Sequence, residues 1–266
     1  MKLLQIKRTK ENTRFYLFGI RILKLSGNQA RLDEYIRSLE NRILDVAVVA
    51  RTHAESFGSY KNYYTGKNVV LVATGPSLAQ YVPIENAIHI GVNRAFYWIK
   101  KPFDALFIQD YNIGDEILDQ AIQYSADNES VLFLGLVDQY IIPESTALRA
   151  AAKRYYTDYL YRPKFNFAYD ISSQRLGDFN SVVFSAMQFL LWTNPKRIYL
   201  VGCDCNRSGY FDNKEQTNYL TDKIIEHWAL FKEFAHIYYP ETEIISVNPV
   251  GLRGMFQEIE TTSSQL

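Results

Sequence analysis

From residue 68 onward, short runs of apolar residues alternate with segments of helical spacing. The apolar runs lack a regular alternation with polar positions, which is typical of parallel strands that are covered on both faces. Since strands that alternate with helices indicate a parallel sheet, we expect an α/β fold with a doubly wound, mostly parallel sheet. The predicted strands are residues 68–73, 87–92, 104–109, 130–137, 197–202 and 243–248, and the predicted helices are residues 114–124, 144–154, 180–193 and 218–235.

Residues 1–66 have a different pattern, and we expect them to form an N-terminal extension. Residues 14–24 predict a hairpin with Gly19 at its turn. A long helix then follows residues 26–28, because apolar residues step by four and three along one face. That face consists of Leu32, Ile36, Leu39, Ile43, Val46 and Ala50. It predicts a helix packed on the domain; a dimerisation helix and a docking surface for another enzyme are the alternatives.

Residues 67–266 form the predicted nucleotide-binding domain, whose alternating pattern is interrupted at residues 155–179. This segment is too aromatic for a linker and too irregular for one helix, so we interpret it as a lid or a substrate-facing insertion. The whole chain is 15% aromatic, with 20 Tyr and 16 Phe. Aromatic side chains of this number either fill the core and the surface, or line a site where rings stack on sugars or bases.

Charge and cysteine content exclude several classes of protein. Lys and Arg together number 29, as do Asp and Glu, so no overall field favours nucleic acid as a partner. Cys203 and Cys205 cannot form a disulfide framework and lack a second pair of zinc ligands, which favours a reducing cytoplasm. Without a signal sequence or a long apolar run, we expect a soluble, unsecreted chain. Peripheral association with the inner membrane, through a surface helix or a partner, stays open.

Candidate binding residues follow from the position at which doubly wound sheets bind ligands, the carboxyl ends of strands where the strand order reverses. The first predicted strand ends in Thr74, Gly75, Pro76 and Ser77. Glycine permits close approach of the backbone to a ligand, and Ser77 can cap a helix whose free N–H groups favour a phosphate. The turn matches neither G-x-G-x-x-G nor a Walker A loop, and a plain tight connection is the alternative.

The next two predicted strands end in further polar residues. Asn93 could contact a ribose or a base, and Arg94 could pair with a phosphate. Gln109 and Asp110 follow the third strand, where an acid can bind ribose, coordinate a metal or act as a base. Capped turns explain these residues equally well.

The later part of the chain repeats this arrangement. Gly202 and Asp204 follow the strand at 197–202, and Ser181 lies near the start of the helix at 180–193. Tyr210 lies in the loop after Asp204. His227 is the only histidine that we would test as a base, while His89 in a predicted strand indicates a core residue.

The order of these short motifs resembles a known family. The motifs are GPS (75–77), VNR (92–94), FIQDY (107–111), a Ser-led helix from 181 and YLVGCD (199–204). Together they resemble the bacterial lipooligosaccharide sialyltransferases, and the N-terminal passages look like lipopolysaccharide-locus glycosyltransferases. The related motility-accessory and hydroxymethylpterin-diphosphokinase-like proteins share the same skeleton. The resemblance covers roughly residues 68–250 and implies a single Rossmann-like domain that uses CMP-sialic acid without a metal or another cofactor.

The resemblance also implies roles for individual residues. The donor's phosphate and ribose would meet the turn at 75–77, the nucleotide would meet Asn93, and its cytidine or ribose would meet Asp204. Ser181 would contact the phosphate or the sugar carboxylate, and Tyr210 would donate to the leaving phosphate.

The chain departs from the family at three places. Thr74 replaces an Asn, and Asp110 replaces another Asn. The family's catalytic His falls where residues 216–222 have none. The base is therefore left open among His227, Asp110 and Asp204.

The sequence thus predicts a glycosyltransferase of surface-polysaccharide assembly. It would transfer a sialic acid or related acidic sugar from a CMP-activated donor to a glycan or glycolipid acceptor, and we expect a homo-oligomer. One alternative is a diphosphokinase-like enzyme with Asp110 and Asp204 holding Mg²⁺ between ATP phosphates. The other is a catalytically silent nucleotide-fold module whose N-terminal helix organises a biosynthetic complex.

Overall fold

Helices and strands are defined in a computed structural model over ten stretches of the chain. The described residues are 4–9, 13–17, 20–25, 29–98, 100–109, 111, 116–136, 152–158, 167–212 and 221–261. The chain divides into two compact units, Met1–Val48 and Val49–Leu266, and this division falls within the helix Gln29–Phe57. The domain boundary that we expect after residue 66 stays a prediction.

The first unit is a small antiparallel sheet with a helix. Its strands β1 (Leu4–Arg8), β2 (Thr13–Leu17) and β3 (Ile20–Leu25) lie in that order, and α1 (Gln29–Phe57) follows. Phe15 and Ile36 are buried against each other, with half-buried Ile6 beside them. Arg8 of β1 pairs with Asp33 of α1 at 2.8 Å. The predicted pairing of strands within 14–24 and the long helix after residue 28 are therefore confirmed, while Gly19, predicted at the hairpin turn, lies outside the described residues.

Only part of the apolar face predicted for α1 is covered. Ile36 is buried, whereas Ile43 and Val46 are 41% and 63% exposed. Packing of this face on the domain stays a prediction. A role for α1 as a dimerisation helix or a docking surface stays a prediction.

Among the described residues of the second unit, nine strands form one parallel sheet. The strands are β4 (Asn68–Val72), β5 (Ile88–Val92), β6 (Ala105–Ile108), β7 (Val131–Leu136), β8 (Ala152–Asp158), β9 (Leu176–Gly177), β10 (Arg197–Val201), β11 (Glu243–Val247) and β12 (Gln257–Ile259). Their order in the sheet is β12-β11-β10-β4-β5-β6-β7-β8-β9, and every neighbouring pair is parallel. The helices are α2 (Ile117–Asp127), α3 (Val182–Trp192) and α4 (Thr221–Tyr238).

Helices cover this sheet on both faces, as the apolar runs predict. Val69 and Leu71 of β4 belong to the layer that contains the end of α1, α3 and α4. Val70 and Val72 belong to the opposite layer, which contains α2. Because alternate side chains of a strand point to opposite faces, a strand buried on both sides needs apolar residues throughout. The doubly wound α/β fold is therefore confirmed.

The strand order reverses between β4 and β10. From β4 the chain runs outward through β5 to β9, then returns through α3 to β10 on the other side of β4. The pairing of β10 with β4 extends from Arg197↔Asn68 to Val201↔Val72. The carboxyl ends of these two strands therefore form the topological switch point, where sheets of this class bind ligands.

The segment around β8 differs from the prediction. Residues 152–154, the end of the helix predicted at 144–154, lie in a strand instead, and residues 144–151 lie outside the described part of the chain. Tyr155 and Thr157 are the buried positions of β8, which is the alternation of a strand. Residues 155–158 and 176–177 of the proposed lid belong to the sheet, so they cannot open as a lid. For the rest of 155–179 the lid stays a prediction, and residues 159–166 of it lie outside the described part of the chain.

Phenylalanine fills one layer of the core. The Phe133 ring lies 4.6 Å from Phe107, 5.1 Å from Phe189 and 5.4 Å from Phe57, centroid to centroid. Such ring pairs stabilise by about 0.5–1.5 kcal/mol each beyond the area that they bury.

His89 is fully buried, as predicted, and burial lowers its pKa to about 4. Among the described helices, none is both long and apolar enough to cross a membrane.

Candidate functional site

Ser77 and Asp204 meet at the switch point, although 127 positions separate them in sequence. The backbone N–H of Ser77 donates to Asp204 Oδ2 at 2.8 Å, and its hydroxyl donates to Asp204 Oδ1. Asp204 is only 5% exposed. The structure therefore brings together two predicted binding residues, one after β4 and one after β10.

Two glycines allow this close contact. The Gly75 N–H donates to the Gly202 carbonyl at 2.8 Å. A Cβ on Gly75 would lie 2.6 Å from both Asp204 Cγ and the Gly202 oxygen. Gly75 has φ −66°, which any residue can adopt, so the close approach alone requires glycine. Gly202 has φ +67°, in the region that favours glycine.

We expect Gly75→Ala to destabilise the protein by about 1–3 kcal/mol, because the added methyl group must displace backbone and the Asp204 side chain. Gly58→Ala is the matched control, since a Cβ there meets nothing within 4 Å and should change stability by less than about 0.5 kcal/mol. Chemical unfolding measures both variants. Equal stability of the two variants would show that β4 and β10 do not meet as closely as described.

The turn after β4 differs from the phosphate-binding helix start that we predict. Residues Pro76–Gln80 form a five-residue 3-10 turn, and proline has no N–H to offer. The N–H groups of Gly75, Ser77 and Leu78 donate to Gly202, Asp204 and Gly75 respectively. Phosphate binding by Ser77 stays a prediction, and it would require Ser77 to exchange Asp204 for the phosphate. The Asp204 carboxylate retains lone pairs that can accept further hydrogen bonds.

The loop after Asp204 is bound to the ends of β4 and β5. The Phe211 N–H donates to the Thr74 carbonyl at 2.9 Å. Arg94, predicted to pair with a phosphate, instead donates to Asp212 at 2.8 Å through Nη2 and at 3.2 Å through Nε. Tyr210 immediately precedes Phe211 and is half-buried, so it lies at the same edge of the sheet as the switch point.

Asn93 and Gln109 connect the ends of β5 and β6. Asn93 has φ +45°, and its side-chain oxygen accepts the Gln109 N–H at 3.0 Å. The Gln109 side chain is buried and donates through Nε2 to Asp178 Oδ2 at 3.2 Å. Asp110, a predicted catalytic residue, lies outside the described residues. Its role stays a prediction.

Asp178 is a residue of this edge that the sequence analysis missed. It is only 3% exposed, and the Asn180 N–H donates to its Oδ1 at 3.2 Å. Its own carbonyl accepts the Ser181 N–H at 2.7 Å, which fixes the start of α3. Burial raises the pKa of Asp178, although the hydrogen bonds from Asn180 and Gln109 favour the charged form. The sequence contains one signal for this residue, because Asp178 lies three residues before Ser181, the serine near the start of a predicted helix.

We expect Asp178→Asn to keep or raise stability at pH 7. Because its pKa is raised, the Asp178 carboxyl binds a proton more tightly in the folded protein than in the unfolded chain. Ionisation of Asp178 therefore destabilises the fold progressively as pH rises above 3.8, the ordinary pKa of an aspartate. Asparagine removes that effect. Gln109 Oε1, which has no hydrogen-bond partner among the described residues, can turn to accept from the new amide. The melting temperature of the variant, relative to the parent, should therefore increase between about pH 4 and pH 7.

Thermal unfolding across this pH range checks the expectation. Glu233→Gln, the same chemical change at an exposed position of α4, should show no such trend. A loss of roughly 5 °C or more for Asp178→Asn at pH 7 would mean that the buried carboxylate is needed in its charged form.

Ser181 begins α3, and His227 packs against a residue that lies just before it in sequence. Ser181 is the N-cap residue of α3, and its hydroxyl makes no capping hydrogen bond. His227 of α4 is 6% exposed, and its ring centroid lies 4.2 Å from that of Phe179, two residues before Ser181. Burial lowers the pKa of His227, so its imidazole is neutral at pH 7 and can accept a proton.

The predicted residues that the structure describes therefore all lie along the carboxyl edge of the sheet or beside the start of α3.

Comparison with known proteins adds little to this picture. Neither a protein-family model nor a curated protein matches the chain. The sialyltransferase CstII from Campylobacter jejuni is 14% identical over 74% of this chain and 87% of its own, with a TM-score of 0.43. The α-2,3-sialyltransferase Cst-I from the same organism is 16% identical over 68% and 75%, with a TM-score of 0.41. Structural similarity at these identities and TM-scores carries no argument about the activity of this chain.

Proposed function

We propose that this protein is a glycosyltransferase that moves an acidic sugar of the sialic acid class from a CMP-activated donor to a glycan or glycolipid acceptor. The observation that carries the proposal is the contact between Ser77 and Asp204 at the switch point. Doubly wound sheets bind nucleotides at this position. The choice of CMP rests on the order of the GPS, VNR, Ser-led helix and YLVGCD motifs in the sequence.

In this proposal the donor lies along the edge between Asp204 and Ser181. The buried Asp204 carboxylate accepts hydrogen bonds from the ribose hydroxyls or the cytosine amine. The start of α3 favours the negative charge of the phosphate or the sugar carboxylate, because the positive end of the helix dipole lies there. The Ser181 hydroxyl is a further donor. Asn93 supports this edge by holding the end of β6 in place.

The reaction is a direct displacement at the anomeric carbon. The acceptor hydroxyl gives its proton to a base and forms a bond to that carbon, while the bond to the CMP phosphate breaks and CMP leaves with the electron pair. His227 is the base that we propose, because its imidazole is neutral and packs against Phe179, which precedes the start of α3. Tyr210 donates a hydrogen bond to the leaving phosphate. Asp110 is the alternative base, and no metal or other cofactor takes part.

The proposed acceptor determines the biosynthetic process and the cellular location that we propose. We propose that the protein acts in lipopolysaccharide or lipooligosaccharide assembly, in the cytoplasm or at the inner membrane, and as a homo-oligomer. The first experiment therefore concerns the donor, which the switch point would bind whatever the acceptor is.

Thermal unfolding with CMP, UDP and ATP, each with and without Mg²⁺, tests the donor. We expect CMP alone to stabilise the protein, by about 2.7 kcal/mol at a hundredfold excess over its dissociation constant. Asp204→Asn should weaken CMP binding about tenfold or more, because hydrogen bonds to a charged group contribute about 1.5–3 kcal/mol. Glu233→Gln is the matched control and should bind CMP normally.

The other outcomes separate the alternatives. Stabilisation by ATP that depends on Mg²⁺ would contradict the proposal and favour the diphosphokinase-like enzyme. No response to any nucleotide would favour the silent module. Normal CMP binding by Asp204→Asn would place the donor site elsewhere on the protein.

A further inference from the structure

His53, near the end of α1, is fully buried and lies between two other segments of the chain. The backbone N–H of Tyr156 in β8 donates to its Nε2 atom at 2.7 Å. Its Nδ1 atom lies 2.9 Å from the backbone carbonyl oxygen of Ile171. A single imidazole therefore connects the end of α1 both to a strand and to the segment that precedes β9.

These two partners determine which ring nitrogen of His53 carries hydrogen. An amide N–H can only donate and a carbonyl oxygen can only accept, so Nε2 must present its lone pair and Nδ1 must carry the hydrogen. Neutral imidazole has one donor and one acceptor, whereas the charged ring has two donors. Both contacts are therefore satisfied only by neutral His53 with its hydrogen on Nδ1.

The contact with Tyr156 takes the place of a neighbouring strand at the edge of the sheet. β9 pairs with only the last two residues of β8, so among the described residues no strand pairs with the earlier part of β8 on that side. The unpaired N–H and C=O groups of such an edge need other partners. Ser56, three residues after His53, donates through its hydroxyl to the Arg154 carbonyl at 2.6 Å. Side chains of α1 thus complete the hydrogen bonding of β8 at two nearby positions.

The surroundings of His53 disfavour its protonation. Burial removes the water that would solvate the charge and, together with the positive charge of Arg175, lowers the pKa of His53 from 6.5 to about 4. The Arg175 guanidinium lies over the Tyr156 ring at 5.1 Å, and that ring stacks on the imidazole at 6.2 Å, centroid to centroid. A second positive charge at His53 would therefore lie close to the first.

Other charged groups on the adjoining segments do not offset this effect. The Asp170 carboxylate accepts two serine hydroxyls in its own turn, Glu55 is exposed, and Asp158 is half-buried at the end of β8. No carboxylate in the described part of the chain stabilises the charged imidazole. The further cations of β8 are Arg154 and Lys153, which donates to the Glu55 carbonyl at 3.4 Å. A proton on Nε2 would therefore gain no ion pair and would point at the N–H of β8.

We propose that His53 is a proton-sensitive latch, which holds the edge of β8 to α1 while the imidazole is neutral and releases it when the imidazole takes up a proton. In the charged ring Nε2 is a donor, so it can no longer accept the Tyr156 N–H. A rotation of the ring that separated the two donors would break the bond from Nδ1 to Ile171. This inference goes beyond the proposed transferase activity and does not depend on it.

Nitrogen NMR of the full chain with labelled histidine tests the state of the ring. We expect His53 at pH 7 to be neutral with its hydrogen on Nδ1, and to take up a proton only near pH 4. Exposed His236 provides the comparison within the same spectrum. Hydrogen on Nε2 of His53, or protonation of His53 near pH 6.5, would overturn the proposal.

Hydrogen exchange of the Tyr156 amide measures the release itself. After correction for the intrinsic rate at each pH, its protection should fall about tenfold for each pH unit from 6 to 4, since the protonated fraction of His53 rises in that proportion. A local probe is needed because His89 also has a pKa of about 4, so that global stability would not separate the two histidines.

Two variants complete the experiment. His53→Gln keeps a donor and an acceptor but takes up no proton, so protection of the Tyr156 amide should not change with pH. His236→Gln is the matched control and should show the trend of the parent. Constant protection in the parent, or the parent's trend in His53→Gln, would contradict the latch. Should glutamine fail to bind the N–H, protection in that variant is low at every pH, and the parent's trend and spectrum decide alone.

Discussion

The close approach of β4 and β10 at their carboxyl ends is the constraint on which the rest of the site depends. The Ala73 N–H donates to the Val201 carbonyl and the Gly75 N–H to the Gly202 carbonyl, both at 2.8 Å, so the backbone pairing continues past the strands. A side chain at Gly75 would occupy the space of Asp204. Two segments far apart in sequence thus become one surface, and Ser77 fixes the orientation of the Asp204 carboxylate.

Further contacts extend this surface along the edge of the sheet. Phe211 and Asp212 fasten the loop after β10 to Thr74 and Arg94. From β5 the connection continues through Asn93, which accepts from Gln109, to Asp178. The polar groups of this edge are therefore held by one another, and their positions are set before any ligand arrives. Such preorganisation is what electrostatic catalysis and tight binding require.

Much of this fold could be predicted from the sequence, for a physical reason. All six predicted strands are present within one or two residues, because a parallel strand covered on both faces must be apolar throughout. The start of β8 was mistaken for a helix, since it follows an alanine-rich stretch and alanine favours helices. Tertiary pairing with β7 outweighed that local preference.

The candidate site was less predictable, because it depends on contacts between distant segments. The sequence placed Ser77 and Asp204 each at a strand end, but only the sheet order makes β4 and β10 neighbours. From the sequence we predict that Arg94 pairs with a phosphate, but in the fold it pairs with Asp212 of the loop after β10. Asp178 lies three residues before Ser181, which is a local signal, but its burial depends on contacts with Gln109 and with the start of α3 that form only in the fold.

Hydrogen exchange of the backbone amides, measured with and without CMP, tests the central claim most directly. If the nucleotide binds at the switch point, protection should increase in peptides that cover residues 74–81, 180–184 and 202–212. Peptides that cover the first three strands should exchange at the same rate in both states. Protection by CMP that is absent from 74–81 and 202–212, and present elsewhere, would contradict the assignment of the switch point as the donor site.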